Sequence, residues 1–392
     1  AIVGNDGASA GGYLGIAAVA IWPMEEDLLI ATDFEQTFST EDLEPVMYLS
    51  EDSLALAAAA PRREVASVFD PCCGSGVQGI VALRYYAGEA TFVDLNPRAL
   101  RFTRFNLALN GLAHKARGLH LGSVYDALPP DAGPFDAIVA NPPFVPNPSG
   151  IAAGGGALFG NGGDTGERVV SEIVQGASKF LRTGGTLAVV AMSPNVEGLP
   201  GRLEGWFTAG AGSSTAGCTA VVFRGEATSV SSYLPTSSAV ETARYQDALR
   251  RMGIQTVSET IAILATDGPD GVGPRATLAG APRAGLWADH AFLRTAARGA
   301  VGAEEVRGGA MAPPPPPVQQ AGSMSLRAEA APVPLEASDY LREGCLPGFQ
   351  AGFFPGYCMG PAAGWERTAE ELKGFAKAFA QRRDLAAKRP KR

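Results

Sequence analysis

From Val65 onward the chain alternates short apolar runs with stretches at helical spacing, and this alternation constrains the fold more than any other feature. Val65 to Phe69 is a short β-branched run, Val77 to Tyr86 is helical, Ala90 to Val93 is strand-like, and Pro97 to Asn110 is helical. Pro97 suits a first helical turn, where its missing N–H has no partner to lose, and Gly111 is placed to end that helix. Gly118 to Leu121 reads as a weak strand, Ala137 to Ala140 as a strong one, Glu167 to Leu181 as a helix and Thr186 to Met192 as a strand. Ala239 to Arg251, closed by Gly253, adds a helix, and Thr256 to Ala265 adds a strand. Such alternation predicts an α/β domain around a largely parallel sheet.

The flanks differ. Tyr13 to Trp22 and Asp27 to Ala31 read as a hairpin around Pro23-Met24-Glu25-Glu26. After Asp267 the periodic signal decays. Five consecutive prolines, Pro313 to Pro317, form a polyproline spacer without a core, or a docking site for a proline-reading partner. Gly348 to Trp365 carries five aromatics among Gly and Pro, and Glu366 to Arg382 reads as a helix with Leu372, Phe375 and Phe379 near one face. The expected organisation is a β-rich N-terminal extension over 1–60, a main α/β domain over 61–268, a Pro/Gly/Ala-rich linker over 269–335 and a C-terminal arm over 336–392. The arm is expected to pack on the main domain or on a macromolecular partner.

Composition excludes several classes. Hydrophobic residues are 46% of the 392 and charged ones 18%, too apolar for a wholly disordered chain. The 49 Gly and 29 Pro show no G-X-Y period, so this is not collagen. The longest plain apolar run, Leu14 to Trp22, is about half of a membrane span, so none is expected. A net charge of -8 makes the nucleic-acid backbone a poor default partner. The last eleven residues nevertheless hold six Lys or Arg against one Asp, a solvated tail, an RNA contact or a targeting signal. Five Cys and three His lack zinc-ligand spacing, so no metal site is expected. Adjacent Cys72 and Cys73 are badly placed for an ordinary disulfide, which suggests a reducing, intracellular setting, cytoplasm or organelle, with any targeting peptide not visible.

Asp70-Pro71-Cys72-Cys73-Gly74-Ser75-Gly76-Val77-Gln78-Gly79 follows the first strand and opens a helix. The glycines permit a tight turn and close approach of a ligand. Asp94 ends the next strand, twenty residues after Gly74, where a carboxylate can accept from both hydroxyls of a ribose. Loop and acid together indicate a nucleoside-bearing ligand. A dinucleotide would place pyrophosphate on the helix N-terminus, but Asp70 would repel it. Asp70 could instead reach an ammonium group, directly or through water, or serve as a turn acid.

A second motif bears on the choice. Phe135-Asp136-Ala137-Ile138-Val139-Ala140-Asn141-Pro142-Pro143-Phe144 places Asn141 at the end of the fourth strand, at the ligand crevice of an open parallel sheet. Through these residues, the segment from about Pro45 to Glu197, roughly 40% of the chain, resembles the class I S-adenosylmethionine-dependent methyltransferases of the Asn-Pro-Pro-Phe/Tyr branch. That branch includes release-factor and ribosomal-protein glutamine methyltransferases, adenine-N6 methyltransferases and guanine-N2 rRNA methyltransferases. The resemblance implies a Rossmann-like, seven-stranded, mostly parallel sheet flanked by helices, with S-adenosyl-L-methionine as cofactor. It implies transfer to a planar nitrogen, an amide or exocyclic amine, and the acidic charge favours a protein or small-molecule acceptor over RNA. Asn141, Pro142 and Phe144 would be catalytic: the Asn141 oxygen and Pro142 carbonyl accept from the NH₂ group, and Phe144 gives a flat face.

The same resemblance assigns the cofactor to Asp70, Cys72, Gly74, Ser75, Gly76, Gly79, Asp94, Leu95, Asn96, Ser123 and Val124. Asp52 joins them from Tyr48-Leu49-Ser50-Glu51-Asp52-Ser53, with Ser50 where family members often have Pro. Gly150 to Asp164 is a glycine-rich insertion, read equally as a lid or a loose loop. The other readings are a catalytically silent subunit that binds through its C-terminal arm, and a nicotinamide-dependent oxidoreductase, which leaves the Asn-Pro-Pro-Phe turn without a role.

Overall fold

The computed structural model describes residues 2–4, 13–15, 18–24, 28–35, 37, 39–40, 43–148, 157–212, 217–233, 239–266 and 275–279. The expectations for the polyproline spacer, the aromatic segment and the C-terminal arm lie outside them. The chain divides into two compact units, Ala1–Ala20 with Pro313–Arg392, and Ile21–Ala312. In the first, β1 (Ile2–Gly4) and β2 (Tyr13–Gly15) form an antiparallel pair. In the second, β3 (Ala20–Met24) pairs with β4 (Leu28–Thr32). The predicted hairpin is therefore shorter: Tyr13 to Gly15 pairs with Ile2 to Gly4 instead, and Pro23 and Met24, expected in the turn, belong to β3. Pro23 has no N–H to donate and sits in a two-stranded ribbon, where each strand has one edge without a neighbouring strand among the described residues.

Elements then follow in chain order. They are α1 (Glu51–Ala59), β5 (Val65–Asp70), α2 (Val77–Tyr85), β6 (Ala87–Asp94), α3 (Pro97–Leu109), β7 (Ala116–Leu121) and β8 (Phe135–Ala140). After them come α4 (Arg168–Phe180), β9 (Leu181–Pro194), α5 (Leu199–Ala211), β10 (Cys218–Arg224), β11 (Thr228–Ser229), α6 (Ala239–Arg251), β12 (Thr256–Thr266) and β13 (Arg275–Ala279). The main sheet runs β13-β10-β12-β9-β8-β5-β6-β7, with β11 beside β12. Five of its pairings are parallel, and the antiparallel ones all involve β12. The Rossmann-like, mostly parallel α/β sheet is present. Among the described residues the sheet has nine strands rather than seven, because the short β11 and β13 pair onto β12 and β10.

Strand residues alternate between two apolar layers. Val68, Phe92, Val139 and Val190 pack with α1 and α2 on one face, and Phe69, Val93, Ile138 and Val189 pack with α4 and α5 on the other. Burial on both faces is why these strands are nearly continuous in Val, Ile, Phe and Ala. On α4, Val169, Val170, Ile173, Val174 and Ala177 are buried, a single stripe at helical spacing. The chain leaves β5 toward β6 and β7, then returns to place β8 on the other side of β5. That reversal creates a crevice at the carboxyl ends of β5 and β8.

Candidate active site

Two sharp turns meet at the crevice. After β5, Gly74 adopts φ +53° and Gly76 φ +80°, the left-handed region that glycine tolerates. A Cβ on Gly74 would meet nothing within 4 Å, whereas one on Gly76 would lie 2.8 Å from the Thr103 methyl. Gly79 serves packing: a Cβ there would lie 2.2 Å from the Phe92 ring, so α2 sits against β6 only because position 79 is glycine. The loop is tied at its far end by Asp94, whose Oδ2 accepts from Gly74 N at 2.8 Å and whose Oδ1 accepts from Asn96 N at 2.8 Å. Burial raises the Asp94 carboxyl above its ordinary range, opposed by these backbone donors.

A cavity of about 180 Å³ opens between the two turns. Of the residues assigned to the cofactor, Cys72, Gly74, Ser75, Asp94, Leu95, Asn96, Ser123 and Val124 line it, as do Asn141, Pro142 and Phe144. Val124 holds φ +39°, a strained setting for a β-branched residue, at a wall of the cavity. Cys72, Cys73 and Cys218 are free thiols. Burial, with Asp94, Asp70 and Glu172 behind it, pushes the Cys72 thiol well above its ordinary value, so it is no nucleophile at neutral pH.

Four assigned residues stand behind the lining rather than in it: Asp70, Gly76, Gly79 and Asp52. Asp70 is fully buried, and its Oδ2 accepts from Gly79 N at 3.0 Å. It braces the loop from beneath. Its Oδ1 has no hydrogen-bond partner among the described residues, and burial, together with the Asp94 charge, raises its carboxyl to about 7 against the Gly79 donor. Asn96 lines the cavity, yet its side chain is fully engaged elsewhere. Its Oδ1 caps α3 by accepting from Arg98 N, and its Nδ2 donates to Glu44 O and Pro45 O.

The second turn follows β8. Asn141 Nδ2 donates to Asp52 Oδ2 at 3.0 Å and to Ser53 Oγ at 3.0 Å. Both amide hydrogens are used, so Oδ1 is the atom left for a ligand. Beyond Phe144 the chain is held from two sides. Val145 N donates to Gly160 O, Gly162 N to Val145 O and Asn147 N to Gly163 O, while Tyr245 OH donates to Pro146 O at 2.7 Å. The end of the glycine-rich insertion is thus a folded wall, with Leu158, Phe159 and Asn161 lining the cavity, and 149–156 lie outside the described residues.

Sequence reasoning missed part of the enclosure. Pro45 to Leu49, from the N-terminal extension, lines the cavity, as do Gln78 on α2 and Arg168 and Glu172 on α4. Asn96 is the signal in retrospect, since its two N–H groups bind the passing carbonyls of 44 and 45. Among the described residues no helix is long and apolar enough to cross a membrane, and no His/Cys/Asp/Glu group is arranged to hold a metal.

Residues 49–153 match the family described as methyltransferase small domain. Ribosomal RNA small subunit methyltransferase C of Sodalis glossinidius is 34% identical over 125 residues, 32% of this chain and 30% of its own length. The tRNA1(Val) (adenine(37)-N6)-methyltransferase of a Shewanella species is 32% identical over 117 residues, 29% of this chain and 49% of its own. Ribosomal protein L11 methyltransferase of Dechloromonas aromatica is 34% identical over 90 residues, 23% of this chain and 27% of its own. The chain spans less than half of the length of each. The matched segment is a class I S-adenosylmethionine-dependent methyltransferase domain with the Asn-Pro-Pro-Phe signature.

The site's residues fit that cofactor. The free side of Gly74 leaves room for close approach, and Asp94 stands at the strand end for a ribose. Asp94 and Glu172 line the cavity, a carboxylate setting that suits a cationic ligand and opposes a pyrophosphate.

Proposed function

We propose that this chain transfers a methyl group to a planar nitrogen, an amide or an exocyclic amine, carried by RNA or protein of the translation apparatus. The observation that carries this reading is the Asn141 carboxamide. Its NH₂ is directed inward to Asp52 and Ser53, and it stands in the cavity that Asp94 and Gly74 also line. S-adenosylmethionine, when bound, would supply an electrophilic sulfonium methyl, whose S–C bond would break as the N–C bond forms, with the nitrogen's proton passing to water.

The chain's own residues supply geometry. A planar NH₂ group is a poor nucleophile because its lone pair is delocalised. Asn141 Oδ1 and the Pro142 carbonyl can each accept one of its hydrogens, which holds the nitrogen in line and favours pyramidal geometry as the bond forms. Neither Pro142 nor Pro143 has an N–H, so the turn presents acceptors without a competing backbone donor. Phe144 offers its ring to a flat base or amide. No base is needed before transfer.

The named relatives act on ribosomal RNA, tRNA and ribosomal protein L11, and support an acceptor of this kind here. The test uses methyl-labelled S-adenosylmethionine with three probes: transcribed small-subunit rRNA, transcribed tRNA and purified L11. Label recovered as an N-methyl base or amide supports the reading. Label recovered only on oxygen or carbon, or none on any probe, counts against it.

A further inference from the structure

We propose that Asp52 is a positioning residue that sets which end of the Asn141 carboxamide faces the methyl acceptor, an inference that rests on the methyl-transfer reading above. Asp52 sits in the first turn of α1, 2% exposed and behind the cavity lining. Its Oδ2 accepts from Asn141 Nδ2 at 3.0 Å, and its Oδ1 accepts from the Ser50 hydroxyl. It is therefore engaged with the catalytic turn rather than with the cofactor.

A carboxylate accepts hydrogen bonds and donates none. If the Asn141 carboxamide turned over, its Oδ1 would face Asp52 Oδ2 at about the same separation with no proton between them, inside a buried site. Only one orientation is satisfied, with NH₂ toward α1 and Oδ1 toward the cavity. Without that partner both orientations become available, and the flipped one presents donors to an acceptor that also donates. Ser53 Oγ takes the second hydrogen but could equally donate to a flipped oxygen, so it does not set the orientation. The platform itself is firm: Gln78 Nε2 donates to Ser53 O at 2.9 Å, and Ala55, Leu56 and Ala59 are buried.

The test combines kinetics with a readout independent of activity, on the full chain with the three probes named above. Asp52→Ala should lower kcat about 100-fold, as misplacement of a reacting group does. The KM for S-adenosylmethionine and the melting shift it produces should stay unchanged. Asn141→Asp should fail similarly, because it sets two carboxylates against each other. The double variant Asp52→Asn/Asn141→Asp restores a donor facing an acceptor with the roles exchanged, and should recover at least about tenfold over Asn141→Asp. A merely structural Asp52 predicts no such rescue. In parallel, the Asn141 side-chain NH₂ signal, identified by its loss in Asn141→Ala, should exchange with water faster in Asp52→Ala. A kcat within twofold of wild type, no rescue, or unchanged exchange would overturn the role. If Asp52→Ala does not fold, the rescue comparison decides. If the wild-type chain transfers no methyl to any probe, the methyl-transfer reading fails, and the exchange measurement still decides the contact.

Discussion

Asn106 pairs with Ala31 as a neighbouring strand would. Ala31 N donates to Asn106 Oδ1 at 2.8 Å, and Asn106 Nδ2 donates back to Ala31 O at 2.9 Å. Asn110 repeats the pattern with Leu29, at 3.0 and 2.8 Å. Four residues of helix advance about 6 Å and two residues of strand about 6.6 Å, so carboxamides four apart, on α3 and at its C-cap, meet alternate backbone units of β4 in step. Asn106 Nδ2 also donates to Ser75 O at 2.8 Å, which joins the N-terminal hairpin to the glycine loop through one side chain. The ion pair of buried Asp33 with half-buried Arg98 fastens the following strap, with Asp33 also accepting from Val46 N.

Asn106→Ala would therefore strand Ala31 N, Ala31 O and Ser75 O at a position with no exposure. Three lost buried bonds predict a loss of about 3 kcal/mol, read from denaturant unfolding. The melting shift on adding S-adenosylmethionine should shrink as well, because the loop loses a brace. A variant within about 0.5 kcal/mol of wild type would show the clip to be incidental.

Gly79→Ala tests packing instead of conformation. The added methyl would sit 2.2 Å from the Phe92 ring, and both neighbours are held in the sheet and helix that frame the crevice. Overpacking of this kind predicts about 1–3 kcal/mol of destabilisation. An unchanged melting temperature would mean that α2 can shift off β6 without cost, contrary to the close approach described above.

The site was legible where chemistry lies in short motifs. Asp70 to Gly79, Asp94 and Asn141 to Phe144 fall together because a parallel sheet brings its carboxyl ends to one edge. What stayed hidden depends on packing. Helix α5 carries Gly201, Gly205 and Gly210, which depress helix propensity, yet a Cβ on Gly210 would lie 1.9 Å from Gln175 O, so close approach of α4 requires glycine there. Gly79 belongs to the glycine motif, and its packing against the Phe92 ring is not readable from that motif. Asp52 lay in a recognised segment, but its partner is 89 residues away, and nothing local records that contact.

Asp94 and Asn141 separate binding from transfer. Asp94→Ala removes the carboxylate that both anchors Gly74 N and faces the cavity, so S-adenosylmethionine should no longer raise the melting temperature. Asn141→Ala leaves the glycine loop intact and should retain that shift while losing about 100- to 1,000-fold in transfer, the usual cost of a lost preorganised polar contact. Wild-type transfer by Asn141→Ala would refute the role of its oxygen.

Asp70 makes stability depend on pH. Its carboxyl moves from an ordinary 3.8 to about 7 in the folded chain, chiefly through burial. Between those values the unfolded chain has already released its proton while the folded chain holds it, so the folded state is favoured at low pH. Stability should fall as pH rises from about 4 to about 7 and stay low above, by up to about 4 kcal/mol from this group. Asp94, raised in the same direction by burial, adds to the slope. Asp70→Asn keeps an acceptor for Gly79 N and carries no ionisable proton. Denaturant unfolding at pH 5 and pH 8 should show the variant gaining on wild type at the higher pH. Parallel profiles for the two proteins would mean that Asp70 does not titrate in this range.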